Sequence, residues 1–313
     1  MEKRAILTAL LVCLAVLGAE AQNKNMNKAD TVIDGKGNKI ITVYSQGTFA
    51  EGNGNVVTRD FDVTGFDEIS LVLAASVTYT VADDYSCRVT LDENLFECLD
   101  IYVKGDCLRI EMVKTLQQSD LKLTKFLIEL TAPTLEEISL VGGGDFSFIT
   151  LFEAPRLQIN TAGSYCTYFD EAVNVQRLKI SSAGSGNTVF NETATIEDLN
   201  VDIAGSGMLK CKHLIADHAK LGIAGSGTMV VESGTVKSAN LSVAGSGSIE
   251  TRCQLESMDY NIMGSGRIYY NGDVKVKGTT MGGKIKRIDS ENAKPKEKRC
   301  TPHHHNKTNK QIV

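Results

Sequence analysis

The residues of this chain whose types could do chemistry are five histidines, a scatter of carboxylates and a ladder of serines. His213 and His218 sit five apart, and a metal site built on them needs a third ligand at the same structural phase; none falls there. His303-His304-His305 would take up a transition metal in solution, but in a polar terminal segment that capture is adventitious. Cleaving a polysaccharide needs two facing carboxylates, or carboxylates with a cation and a base. Asp145, Asp170, Asp198, Asp202 and Asp217 share no phase in the repeat that carries them. Glu192 and Glu232 share one, but two repeats apart. The recurring serines belong to turns, so no Ser-His-Asp arrangement follows. No glycine precedes a Lys-Ser/Thr pair or a helix start in the way a phosphate loop requires. The reading is no catalytic residue, no metal site and no cofactor.

What positions these side chains is a tetrapeptide that returns. Ala183-Gly184-Ser185-Gly186 recurs as Ala204-Gly205-Ser206-Gly207, Ala224-Gly225-Ser226-Gly227 and Ala244-Gly245-Ser246-Gly247, and with one change as Met263-Gly264-Ser265-Gly266. Ala162-Gly163-Ser164 is a degenerate copy, and Val141-Gly142-Gly143 and Met281-Gly282-Gly283 flank the series. The first glycines are spaced 21, 21, 21, 20, 20, 19 and 18 residues apart from Gly142 to Gly282. A period near twenty is the mark of a solenoid with one repeat per coil. Before each turn, apolar residues alternate with polar ones: Leu199, Val201, Ile203 around Asn200 and Asp202, and Leu241, Val243 around Ser242. Period two means strand with one face buried. Strands of one direction, joined by short turns and return segments, predict an all-β fold. It is a parallel β-helix of about seven coils, with rungs about 5 Å apart.

A corner between strands needs a residue at positive φ, which glycine supplies without steric cost. Gly142, Gly163, Gly184, Gly205, Gly225, Gly245 and Gly264 form the expected turn ladder. Ser185, Ser206, Ser226, Ser246 and Ser265 are first of all structural corner residues, able to bond nearby backbone. They are also a candidate hydroxyl-lined binding ridge for a glycan or another repetitive surface. The return segments 169–176, 190–198, 212–219, 232–239 and 252–258 differ from coil to coil, and variable loops on a rigid frame are where specificity usually lives. No Trp is present, leaving Tyr165, Tyr168, Tyr269 and Tyr270 as possible sugar-stacking groups.

Residues 1–21 read as an export signal: Glu2-Lys3-Arg4, an apolar run from Ala5 to Gly18, then Ala19-Glu20-Ala21 before Gln22. Cys13 lies inside that run without a lipidation context. No later segment is long and apolar enough to span a bilayer. Residues 22–57 are expected to be a flexible leader containing a short strand, Lys39–Tyr44. Residues 58–288 are the solenoid, of which 58–132 form an irregular β-cap and 133–288 the regular coils. In the cap, Ala74-Ala75-Ser76 stands where later coils have Ala-Gly-Ser, and Lys104-Gly105-Asp106-Cys107 closes a hairpin. Residues 289–313 read as a disordered basic tail. The net charge of −5 divides unevenly, about +6 from Lys284 onward and about −11 before it, and an acidic body argues against nucleic acid. Seven cysteines remain beyond the signal. Cys166, Cys211 and Cys253 read as small core residues; Cys87 with Cys98 is the one pair worth testing as a disulfide.

The run Arg59-Asp-Phe-Asp-Val-Thr-Gly-Phe-Asp-Glu-Ile69, the Asp92-Glu-Asn-Leu95 segment and the Ala-Gly-Ser-Gly coils together resemble the exported auto-transporter adhesin "head GIN domain" family, common in Bacteroidota. The resemblance spans about residues 58–286. It implies a β-helical fold and adhesion, and carries no catalytic residues. Asp30-Thr31-Val32 resembles the O-glycosylation motif of exported proteins of that phylum. The reading is therefore an exported, non-enzymatic, adhesin-like binding protein of the periplasm, outer-membrane surface or exterior. Its partner is unassigned, with a glycan or surface protein the candidates. The alternatives are an envelope scaffold or a β-helical polysaccharide-active enzyme.

Overall fold

The computed structural model describes residues 30–33, 39–44, 47–112 and 120–288. The signal segment, the basic tail, Cys13, Cys300 and residues 303–305 lie outside the described residues. In chain order the strands are β1 (Asp30–Ile33), β2 (Lys39–Tyr44), β3 (Gly47–Glu51), β4 (Val56–Phe61), β5 (Glu68–Val81), β6 (Ser86–Asp92), β7 (Leu99–Lys104), β8 (Cys107–Met112), β9 (Asp120–Lys122), β10 (Phe126–Ala132) and β11 (Glu137–Phe148). The solenoid continues through β12 (Phe152–Phe169), β13 (Val173–Gly184), β14 (Asn187–Gly205), β15 (Met208–Gly225), β16 (Thr228–Val231), β17 (Gly234–Gly245), β18 (Ser248–Thr251), β19 (Gln254–Met263), β20 (Arg267–Tyr270), β21 (Lys275–Met281) and β22 (Lys284–Arg287).

Alternating apolar residues can be buried together only if successive strands stack with the same face inward, and they do so in a β-solenoid of about seven turns. From β11 to β19 every coil pairs in parallel with the next, and the turn glycines fall in register: Gly142 beside Gly163, then Gly184, Gly205, Gly225 and Gly245. The step from a 21- to a 20-residue coil is a register shift between Phe190 and Thr193, where Asn191 and Glu192 face the single Lys212. Inside, each phase is a column. Leu157, Leu178, Leu199, Ala219, Ala239 and Met258 form one, and Ile159, Ile180, Val201, Leu221 and Leu241 another, all buried. Phe148, Phe169 and Phe190 stack with ring centroids 4.4 and 4.6 Å apart, and Cys211, Val231 and Thr251 continue that column in smaller side chains.

The cap departs from the expected irregular unit in an instructive way. β5 is already a rung: it pairs in parallel with β11 from Glu68 to Tyr79, while β8 and β10 cover its outer edge and β7–β8 is the hairpin. The register corrects the turn assignment by two residues. Leu73, not Ala75, occupies the corner-glycine column opposite Gly142; Ala74 faces Gly143 and Ala75 faces Gly144. A two-residue slip keeps the same side chains pointing inward, and Leu73 and Ala75 are both buried while Ala74 is exposed. The described part of the leader holds β1 and β3 as well as the expected Lys39–Tyr44 strand; β1, β2, β3 and β9 make a four-stranded sheet. Below β6 a short 3-10 turn, Glu93–Cys98, is anchored by two buried polar side chains. Asp92 accepts hydrogen bonds from the Gly54 amide (2.8 Å) and from the Thr124 amide and hydroxyl (2.8 and 3.0 Å). Asn94 accepts from the Asn53 amide and donates to the Glu51 carbonyl, both at 2.9 Å. Burial pushes the Asp92 carboxyl up, but these hydrogen bonds outweigh it and hold it below the usual carboxylate range.

Candidate functional site

The corner is the feature that every coil repeats. Gly142, Gly163, Gly184, Gly205, Gly225, Gly245 and Gly264 have φ between 106° and 129°, a region side chains rarely adopt. A Cβ built on Gly184, Gly205 or Gly225 would lie 2.2, 2.4 or 2.6 Å from the carbonyl oxygen of the corner glycine one coil earlier. That oxygen accepts from the amide of the following serine: Ser185 to Gly163, Ser206 to Gly184, Ser226 to Gly205 and Ser246 to Gly225, each at 2.9 Å. The second glycine of the tetrapeptide has a different task. It is buried, has no positive φ, and packs so closely that a Cβ on Gly186 or Gly207 would meet a backbone oxygen at 2.1 or 2.4 Å. In the degenerate coil Tyr165 stands at that position, fully buried, with its hydroxyl donating to the Leu73 carbonyl at 3.0 Å.

The outward products of this geometry are two adjacent columns. Ser185, Ser206, Ser226, Ser246 and Ser265 are all exposed, and none of their hydroxyls has a hydrogen-bond partner among the described residues. Ala204, Ala224 and Ala244 are exposed beside them, in register. Small side chains at one per rung, about 4.8 Å apart, make a flat strip of methyl groups bordered by hydroxyls that donate and accept. The strip carries no titratable group. On the long face next to it, Asn160, Ser181, Asp202, Gly222, Ser242 and Asn261 form a polar column. A Cβ on Gly222 would lie 2.7 Å from the Asp202 carboxylate.

The other chemistry-bearing residues are dispersed or neutralised. Lys212 lies between Glu192 and Glu232 in the ladder and ion-pairs with Glu192 at 2.9 Å, while Glu232 pairs with Lys210 at 3.1 Å. Asp217 pairs with Lys237 at 2.7 Å, and Asp170 accepts from Asn191. Asp198 stands in register between Arg177 and His218. No group of three metal-ligating side chains occurs among the described residues. The structure does join one serine to a histidine that sequence reading missed. His213 Nδ1 lies 2.9 Å from Ser233 Oγ, because the two occupy neighbouring coils twenty residues apart. Ser233 donates its proton to the Lys212 carbonyl at 2.7 Å, so the imidazole N–H donates to the hydroxyl, which is the reverse of nucleophile activation. Of the tyrosines, Tyr165 is internal and cannot stack on a sugar; Tyr168, Tyr269 and Tyr270 are half-buried. Cys211 and Cys253 are core residues, with burial pushing the Cys211 thiol up to about 12. Cys166, read as core, is only half-buried and accepts from the Asn187 amide nitrogen at 3.5 Å. Cys87 and Cys98 are both buried free thiols, so that disulfide is not formed. No helix among the described residues is long and apolar enough to cross a membrane.

A parallel β-solenoid whose recurrent exposed features are small and polar belongs to the class of β-solenoid repeat proteins. Sequence comparison gives the family: the chain belongs to the one described as "Putative auto-transporter adhesin, head GIN domain", whose model matches residues 65–233. Among solved structures it is similar to a "putative lipid binding protein" of Parabacteroides distasonis, 30% identical, with a TM-score of 0.71 over 77% of this chain and 99% of that one. It also shares its fold with a "putative adhesin" of Parabacteroides merdae, 22% identical, with a TM-score of 0.70 and coverage of 77% and 99%. No curated protein matches the chain.

Proposed function

We propose that this is an exported, non-enzymatic adhesin-like protein that binds an extended partner along the corner ridge of Ser185, Ser206, Ser226, Ser246 and Ser265. The observation that carries the reading is the ridge itself: five unpartnered hydroxyls and a strip of alanine methyls, held in register by glycine corners whose backbone has no freedom to relax. A rigid array loses little entropy when it meets a second repetitive surface, such as a glycan or a surface protein. Membership of an adhesin family supports the same role, and fold alone would not. The non-enzymatic reading is supported by carboxylates interleaved with cations and by the inverted Ser233–His213 hydrogen bond. Export is supported by the charged start, apolar run and Ala19-Glu20-Ala21 of the sequence.

The test is protease shaving of intact cells. The expected outcome is that the solenoid is cleaved while a periplasmic marker survives, and that Ser226→Arg lowers binding of the purified protein to cell-wall and host glycan arrays without lowering its melting temperature. Protection until the outer membrane is permeabilised would overturn the surface assignment, leaving an envelope scaffold. Unchanged binding by Ser226→Arg would remove the ridge.

A further inference from the structure

The two ends of the solenoid are finished differently. At the first, β8 and β10 cover β5 and β7 covers β8. At the last, β21 pairs only with β19 and β22 only with β20; no described strand lies on their outer edges. Val274, Val276 and Ile285 pack against the core from this end and stay half-exposed. At the corner of the same two coils the alanine column changes to methionine. Met263 and Met281 are neighbours in register and 53% and 71% exposed, the latter the most exposed of the large apolar side chains described. On the same two coils stand Arg267, Lys275, Lys277, Lys284 and Lys286, all exposed, none ion-paired among the described residues, with Asp259 beside Lys277 the one acid in register. Arg287 is paired with Asp273.

The chemistry of this end selects its occupant. A second copy meeting it end to end would bring two sets of like charges together. The chain beyond Ile288 adds Lys294, Lys296, Lys298, Arg299, Lys307 and Lys310, and has almost nothing apolar with which to cover Val276 or Met281. An anionic surface satisfies the cations, and one with an apolar interior also takes up the methionines. We infer that the last two coils dock on an anionic phospholipid membrane, with Met263 and Met281 entering the interface and Lys277, Lys284 and Lys286 at headgroup level. This patch adjoins the ridge at Ser265 and leaves Ser185, Ser206, Ser226 and Ser246 free on the flank.

The experiment is co-sedimentation of the chain from Gln22 with phosphatidylcholine vesicles, with and without phosphatidylglycerol. Binding is expected only with phosphatidylglycerol, falling as salt rises. Neutralising Lys284 and Lys286 together (to Gln) should weaken it about 25-fold, from roughly five-fold per lysine at an anionic surface. Met263→Ser with Met281→Ser should remove the salt-resistant part, while Ser226→Arg should change nothing. All these positions are exposed, so thermal melts of the variants should overlay the parent. Equal binding to neutral vesicles overturns the inference. So does full binding by both patch variants with loss on truncation after Ile288, which would assign the affinity to the tail alone. Capture by a soluble polyanion such as heparin with no vesicle binding overturns it as well.

Discussion

Replacing Gly225 by alanine tests the corner most directly. Gly225 has φ 128°, and an added Cβ would sit 2.6 Å from the Gly205 carbonyl oxygen, well inside ordinary contact. Holding a non-glycine residue in so sparsely populated a region costs about 1–3 kcal/mol. Moving the rung to relieve the contact strains the Ser226 N–H to Gly205 bond, 2.9 Å in the native coil, worth about 1 kcal/mol. The sum is about 2–4 kcal/mol, and for a solenoid of this length a melting temperature lower by roughly 5–15 °C. Two companions separate the terms. Gly207→Ala meets a backbone oxygen at 2.4 Å without a positive φ, and Gly272→Ala has φ 89° with nothing within 4 Å of its Cβ. The first reads the steric term; the second reads the conformational one, about 1–2 kcal/mol. Urea unfolding followed by circular dichroism gives the energies, and amide exchange at Ser226 and Ser246 localises the damage. A Gly225→Ala variant within about 0.5 kcal/mol of the parent, a typical surface substitution, would refute the assignment of the glycines to an obligatory close-packed corner.

Asp92→Ala should cost about 3 kcal/mol or more, measured by urea unfolding, because it leaves three donors from Gly54 and Thr124 without an acceptor. Since the folded Asp92 pKa lies below its unfolded value, its contribution is complete above about pH 4 and is lost as pH falls through the folded value. An acid titration of the melting temperature should show that loss in the parent and not in Asp92→Asn. Phe169→Ala opens a hole in the middle of the Phe148–Phe169–Phe190 stack and should cost about 3–5 kcal/mol by the same unfolding assay. Iodoacetamide at pH 8 followed by mass spectrometry should label Cys166 in the native protein and spare Cys87, Cys98, Cys211 and Cys253 until the chain is denatured. The latter four are buried, and burial lifts the Cys87 and Cys98 thiols to about 12 and about 11.

The solenoid was legible because a repeat writes the same local demand many times. The glycine at positive φ and the period-two apolar pattern needed only one coil's worth of chain to be read, and seven copies removed the ambiguity of each. Local reasoning faltered where a coil breaks the pattern. Tyr165 stands in a slot that the later coils fill with glycine, and its side chain turns inward to reach Leu73, ninety-two residues earlier. The first rung was misplaced by two residues for a related reason: Ala74-Ala75-Ser76 imitates the turn motif, but inter-coil register, not local similarity, decides that Leu73 faces Gly142.

Sequence alone therefore determined the class of fold and the spacing of its glycine turns, because each depends on residues close in the chain or at a constant period. Only tertiary structure decided which unlike residues meet. The Asp92 carboxylate found its donors on Gly54 and Thr124, and Ser233 found His213, through the stacking of coils. Met263 and Met281 became one exposed patch only because the last two coils stack in register. Contacts between coils run perpendicular to the chain, so their partners are fixed by the register of the whole stack and by nothing within a single repeat.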